Sequence, residues 1–446
     1  MSCNFSCNPR ILCDMTEKRR HLETEAATNA SPQKGMLTYM SFSHVYSVPA
    51  YYPNFRCKAG DCRHPCCTGW DIAISMKEYF RMLGLDCSFD LRRRLDTAFH
   101  LADTPSDDRY AIISRRWDGD CPLHLPNGLC GLQCECGEDA IPSVCRYYPR
   151  SPKTHYAYQC QCSNSCEAVV EMLFDYREPM TFVRRKLTFD FSESIPHTSD
   201  RLSKLFPQVQ RACLRILQNR SLTLSQRLIH LGELIQVMDI PYREGNVEGI
   251  HAVLPFSATP PKAVDGKYVQ ATQSSILKAV LAHVRDLLYW LKENNVSLQN
   301  LAEEAINALS LSLDAPITEE TVSLWCCYAQ EMAQRFPDND RMLEQIFVNH
   351  LCYDSFPFSD DRHHFWGSFL SLCTAYALVR VLSVCHLAVY RETESEQTLT
   401  PIQAYADVVA TSFRVVEHTN FTHNAVILAH RFSFDLPDQA FPLCYL

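Results

Sequence analysis

The sequence predicts a mainly α protein in which a loop-rich cysteine module, at about 45–170, is fused to an all-helical body at 171–446. Three observations predict it. In the C-terminal part, Leu277, Val280, Leu281, Val284, Leu287, Leu288 and Leu291 recur at helical spacing, with Lys278, Arg285 and Asp286 elsewhere on the wheel. Thirteen of the 23 cysteines crowd between Cys57 and Cys166, a stretch punctuated by turn residues such as LPNG at 125–128. Glycine, with 13 of 446 residues, is less than half as frequent as the usual ~7%, which counts against folds built on glycine-rich phosphate loops.

Taken in order, residues 1–44 read as a flexible extension whose Cys3, Cys7 and Cys13 are free thiols. Within the module, 75–83 and 91–101 have short helical character. After residue 170, helical periodicity runs through 300–313, 319–333, 340–351, 367–390 and 401–417, with 243–267 as a loop or linker. Thr400 before Pro401 is an N-cap followed by the favoured first-turn proline. The run 369–390 is long enough to cross a bilayer, but Arg380 sits near its middle, where an arginine costs about 2.5–3.5 kcal/mol on insertion scales. A buried core helix and no transmembrane span is the better reading. Cys213, Cys326, Cys327, Cys352, Cys373 and Cys385 read as small core hydrophobes.

The net charge of −9 and pI near 6.0 argue against a nucleic-acid partner, which needs a basic surface. The polar start lacks an apolar signal run, so a cytoplasmic location is expected. Thiols stay reduced there, and clustered thiols then point to metal rather than disulfides. They form three groups: Cys57, Cys62, Cys66 and Cys67; Cys121, Cys130, Cys134, Cys136 and Cys145; and Cys160, Cys162 and Cys166. Soft thiolates suit zinc, copper(I) or iron–sulfur centres. No C-x2-C knuckle of a zinc ribbon is present, and one centre or two both fit the number of thiols.

Several stretches resemble the bacterial flagellin lysine-N-methylases: YYPNFRCKAGDCRHPCCTGW at 51–70, Cys121–Pro122, Gly128-Leu129-Cys130, CRYYPR at 145–150 and Ser165-Cys166-Glu167. A fainter likeness covers EQIFVNHLCYDSFPF at 344–358 and Val416-Glu417-His418. The cysteine skeleton is also similar to that of small bacterial zinc- or iron-chelating proteins. The resemblance implies a cytosolic enzyme that methylates ε-amino groups of flagellin lysines from S-adenosylmethionine. It also implies an iron–sulfur cluster, 4Fe-4S favoured and zinc the alternative, on Cys57, Cys62, Cys66, Cys67, Cys121, Cys130, Cys145 and Cys166. Cys134, Cys136, Cys160 and Cys162 rank below these.

Neither the C-x3-C-x2-C signature of radical chemistry nor the glycine-rich turn of ordinary methyltransferases occurs, so no Rossmann-type methyltransferase domain is expected. Arg146 and Arg150 are the candidates for the donor's carboxylate, with a structural role beside the cluster equally open. A lysine with pKa near 10.4 must lose a proton before attack, at a cost of about 4.6 kcal/mol at pH 7. Tyr147, Tyr148, Asp71 and Glu167 lie close enough in sequence to accept it, though the tyrosines and Trp70 read first as packing residues and no catalytic base is assigned. The pair His363-His364 reads as a solvated loop. The helical body is expected to recognise the protein substrate or to self-associate. The competing function is a non-enzymatic adaptor with a structural metal.

Overall fold

A serine or threonine followed three residues later by glutamate or glutamine signals a helix start, because the two side chains satisfy each other's backbone donors. Three helices open this way: Ser75 with Glu78, Thr223 with Gln226, and Thr400 with Gln403. Pro401 takes the first turn after Thr400, as expected. The computed structural model describes residues 42–189, 203–258, 273–295, 298–359, 364–390, 399–432 and 440–446. The expected extension up to residue 41, with Cys3, Cys7 and Cys13, lies outside the described residues. So do His363 and the stretch 259–267.

The first part of the chain carries β1 (Phe42–Pro49), β2 (Ile72–Ile74), α1 (Met76–Leu83), α2 (Phe89–Ala98), β3 (Phe99–Leu101) and β4 (Ala111–Ile113). It continues through α3 (Gly131–Cys136), α4 (Ser143–Tyr147), β5 (Arg150–Lys153), β6 (Gln159–Cys162), α5 (Glu167–Asp175) and β7 (Phe182–Phe189). The body follows as α6 (Phe206–Leu217), α7 (Leu224–Arg243), α8 (Val247–Val253), α9 (Gln273–Asn294) and α10 (Gln299–Ala308). It ends with α11 (Glu319–Arg335), α12 (Asn339–Tyr353), α13 (His364–Val389), α14 (Pro401–Val416) and α15 (Phe421–Arg431). The protein is mainly α.

Two small sheets interrupt the helices. One has the order β5-β6-β1-β7, with β1 parallel to β6 and antiparallel to β7 along the full register Phe42↔Phe189 to Pro49↔Phe182. The other is β2-β4-β3, antiparallel throughout. Three expectations are corrected here. The body is not all-helical, because β7 lies beyond residue 170 and pairs with β1; its run Arg184-Arg185-Lys186 hides the alternation of a strand. The helix expected to reach residue 101 stops at Ala98, and Phe99–Leu101 become β3 on the β4 edge. The described part of the expected 243–267 loop is largely helical. Asn246 caps α8 by accepting from the Gly249 amide at 2.8 Å, so the polar residues there start a helix.

The 26-residue α13 is the spine of the body and is buried on nearly every side. It is long and apolar enough to cross a membrane, but 78% of its apolar window is covered by the protein itself. Arg380 is absorbed locally: its Nε donates to the Leu446 carbonyl at 3.1 Å. A second, smaller core, separate from the large one, gathers Ile72, Ile74, Met82, Leu95, Ile113 and Leu132 around the three-stranded sheet, with Cys121, Cys130, Cys136 and Cys145 packed on it.

Candidate functional site

The loop 57–68 carries four of the candidate ligand thiols, and charged side chains from other elements fix it. Glu167 at the start of α5 is fully buried and accepts from the Arg63 amide (3.1 Å), the His64 amide (2.8 Å) and Lys58 Nζ (3.1 Å). Arg63 forks onto Asp407 of α14 through Nε (2.8 Å to Oδ2) and Nη2 (2.6 Å to Oδ1), and Nη2 also reaches Glu171 at 2.6 Å. Two turns further along α14, Arg414 donates to the carbonyls of His64 (2.6 Å), Pro65 (3.2 Å) and Thr68 (3.1 Å). Planar bidentate and charge-assisted contacts of this kind fix orientation as well as position.

The second group of cysteines is laid directly on this loop. The Cys121 amide donates to the Cys67 carbonyl at 2.7 Å, and Thr68 bridges Asp120. Gly60 and Gly128 meet backbone to backbone; a Cβ on Gly60 would stand 2.7 Å from the Asn127 carbonyl oxygen, and one on Gly128 2.7 Å from that of Gly60. Only glycine allows that approach, and Gly128 also has φ of +78°. Cys130 caps α3, Cys145 lies in α4, and Cys166 sits at the N-cap of α5.

Cys66 lies within electrostatic reach of Cys62, Cys67, Cys121, Cys130, Cys145 and Cys166, while Cys57 is near Cys62 and Cys166. Burial pushes the Cys62 thiol up to about 12, with Glu167, Cys57, Cys166 and Cys66 adding to it. Cys166 is also pushed up to about 12 by burial, against the amides of Val169 and Ala168, which stabilise its thiolate. Cys121 rises to about 11 and Cys145 well above the usual thiol range, each through burial first and neighbouring thiols after it. Cys66 moves the other way, down to about 7, because Cys67 donates a hydrogen bond to it and Arg414 stands nearby. Cys67 is raised by the same contact. Among the described residues, no three His, Cys, Asp or Glu side chains converge closely enough to hold a single ion.

The remaining sequence candidates lie elsewhere. Arg146 pairs with Asp139 at 3.6 Å, while Arg150 on β5 covers the rings of Phe55 (5.0 Å) and Tyr52 (5.8 Å). Cys160 and Cys162 are buried on β6 beside Tyr52 and Tyr51. Cys134 is exposed, and Cys136 lies near Cys87. Tyr147 packs edge-on against Phe189, and Asp71 holds the Arg115 amide at 3.0 Å.

Beneath the thiols lies a polar network that the sequence did not assign. Ser163 Oγ donates to Glu417 Oε2 at 2.5 Å and lies 2.5 Å from Ser165 Oγ. Ser165 Oγ in turn contacts His418 Nε2 at 2.8 Å and the Tyr148 hydroxyl at 2.9 Å. The other Glu417 oxygen, Oε1, meets His350 Nδ1 at 3.1 Å, and burial-opposed attraction to that carboxylate leaves His350 above its ordinary range. His418 is exposed as a residue but turns Nε2 inward, and its ring centroid lies 5.1 Å from that of Trp70. Loss of solvent around the imidazole, with Arg414 and Lys153 nearby, keeps His418 below the ordinary range against the pull of Glu417. The signal for Asp407 and Arg414 was present in the sequence: two charges seven residues apart, on one face of an otherwise apolar helix.

Residues 210–424, most of the helical body, match the family described as FliB lysine N-methylase C-terminal domain. A lysine-N-methylase of Salmonella choleraesuis (strain SC-B67) is 24% identical over 176 residues, covering 35% of this chain and 40% of that protein. A lysine-N-methylase of Salmonella typhimurium (strain LT2) is 25% identical over 167 residues with the same coverage. The flagellar biosynthetic protein FliU of Salmonella muenchen is 24% identical over 153 residues, or 31% of this chain and 82% of that protein. The chain thus spans about two fifths of the length of the lysine-N-methylases it matches. No solved structure matches it. Over most of its helical body the chain is similar to the FliB lysine N-methylase family.

Proposed function

We propose that the protein is an S-adenosylmethionine-dependent lysine N-methyltransferase acting on flagellin in the cytoplasm, with an iron–sulfur cluster on its cysteine module. The observation that carries this reading is the seating of the thiol loop by Asp407 and Arg414, both inside the region matched to the lysine N-methylase family. The donor chemistry supports it: six other candidate thiols lie within electrostatic reach of Cys66, which is disposed toward the thiolate. A cluster of several irons presents its cysteine sulfurs farther apart than ligands of one ion, which suits thiols that are near one another without meeting at a point. Cys57, Cys62, Cys66, Cys67, Cys121, Cys130, Cys145 and Cys166 would hold it, four for each cubane. When bound, such a group supplies electron-transfer and Lewis-acid chemistry. Arg146 and Arg150 are proposed as alternative contacts for the donor's carboxylate, which Arg146→Lys and Arg150→Lys separate by donor affinity.

The second reading is a non-enzymatic adaptor whose zinc or iron only staples the module, and the small size of the module's core favours it. Anaerobic purification, with iron, acid-labile sulfide and zinc measured per protomer, distinguishes the two when combined with methyl incorporation into purified flagellin. Iron with equal sulfide and donor-dependent incorporation is the expected result. Stoichiometric zinc, no sulfide and no transfer would leave the adaptor.

A further inference from the structure

We infer that Trp70, Tyr148 and His418 form the face that receives the ε-amino group of the substrate lysine, and that the chain His418–Ser165–Ser163–Glu417 takes its proton. The inference rests on the methyl-transfer reading above and assigns its acceptor site. His418 is the one member of the polar network that is exposed, and aromatic rings flank it: Trp70 at 5.1 Å, Tyr353 at 6.3 Å and Tyr148 at 6.4 Å between centroids. Aromatic faces around an open polar group are the chemistry that receives an amine and its methylene stem. The cations nearby oppose the ammonium form: Arg414 lies over Trp70 at 5.0 Å, and Lys153 over Tyr353 at 4.9 Å. An arriving lysine is thereby pressed toward the neutral amine that attack requires.

The network gives the released proton somewhere to go. The N–H bond of the ammonium breaks, its electron pair stays on nitrogen, and the outward nitrogen of His418 takes the proton. With Nε2 protonated, that nitrogen passes its own hydrogen to Ser165 Oγ (2.8 Å), Ser165 to Ser163 Oγ (2.5 Å), and Ser163 to Glu417 Oε2 (2.5 Å). His350 steadies the same carboxylate from Oε1. Ser163 and Asn164 already tie the module to the body through Glu417, at 2.5 and 3.0 Å, and Ser163 Oγ also lies 3.2 Å from His418 Nε2. The exposed His418 at the end of the chain is what a conduit needs and such a tie does not.

The test uses the full chain, metal-loaded and anaerobic, with purified flagellin and the sulfonium donor in single turnover. His418→Ala should slow transfer roughly 100-fold or more, with donor affinity, metal content and melting temperature unchanged, and added imidazole should restore part of the rate. Glu417→Gln should lose rate without imidazole rescue. Transfer within twofold of wild type in His418→Ala overturns the inference, as does a loss that imidazole fails to restore and that tracks a lowered melting temperature. If wild-type protein itself transfers no methyl group, the functional reading fails and this one with it; active wild type beside an equally active His418→Ala sinks only this one.

Discussion

The two cores of this molecule are built on different principles. In the body, α13 is enclosed by apolar side chains from α7, α10, α14 and α15, and apolar burial is the main source of its cohesion. The smaller core has twelve buried residues, too few to support a domain unaided. Its neighbouring loops are held instead by Arg63, Glu167, Asp407 and Arg414 across the boundary. The large core is held by apolar burial, to which Tyr46, Tyr51, Phe55, Cys160 and Cys162 of the module also contribute, while the thiol loop borrows its order.

The sharpest way to break that contrast is to damage a buried charge cluster in the body. Glu344 is fully buried between Arg227 (Nη1 to Oε2, 2.6 Å) and Arg220 (Nη2 to Oε1, 2.9 Å). Glu344→Ala strands Arg227, itself 4% exposed, and should cost about 3–5 kcal/mol in chemical denaturation. A loss below about 1 kcal/mol would mean the body tolerates unpaired charge far better than its packing implies. Arg414→Leu should cost less, roughly 2–3 kcal/mol from lost charge-assisted bonds. Its signature is regional: amide exchange should quicken across 57–68 while α13 stays protected. Equal loosening of both regions would contradict the borrowed order of the thiol loop.

A third effect depends on acid. Burial holds His283 neutral in the folded body, down to about 3, while the unfolded imidazole titrates near 6.5. Below pH 6.5 the unfolded state therefore binds more protons, and stability falls as pH falls toward 3, by about 2 kcal/mol at pH 5. Urea midpoints at pH 7 and pH 5 should draw together in His283→Asn, and an unchanged gap would show that this ring is not the source. The smallest effect belongs to the surface. Arg177 and Asp338 form an ion pair with both side chains more than half exposed, and Arg177→Ala should shift stability by no more than about 0.5 kcal/mol.

The difference between the regions also governs what could be read from the sequence. Helices such as α12 and α14 were legible because a repeating buried face writes itself locally, and Thr400 with Gln403 announced a start. Strand β7 was not, since its partner β1 lies 147 residues earlier at the Phe42↔Phe189 end and a basic run covers its alternation. The cysteines announced themselves by type. Their seats did not: Arg63 meets Asp407 across 344 residues, and a pairing at that distance leaves no local pattern. Glu417 and His418 stood in view as part of a resemblance, but nothing in their spacing told of Ser163 or Ser165.

The grip of α14 on the thiol loop has a consequence in time. A ribosome completes Cys166 some 240 residues before it reaches Asp407 and Arg414, an interval of roughly 10–50 s at ~5–20 residues per second. For that interval the nascent chain presents its full set of candidate ligands without the groups that later clamp them. Cluster delivery during translation would meet an open hand, whereas delivery to the finished protein would have to work around Arg414 and Asp407.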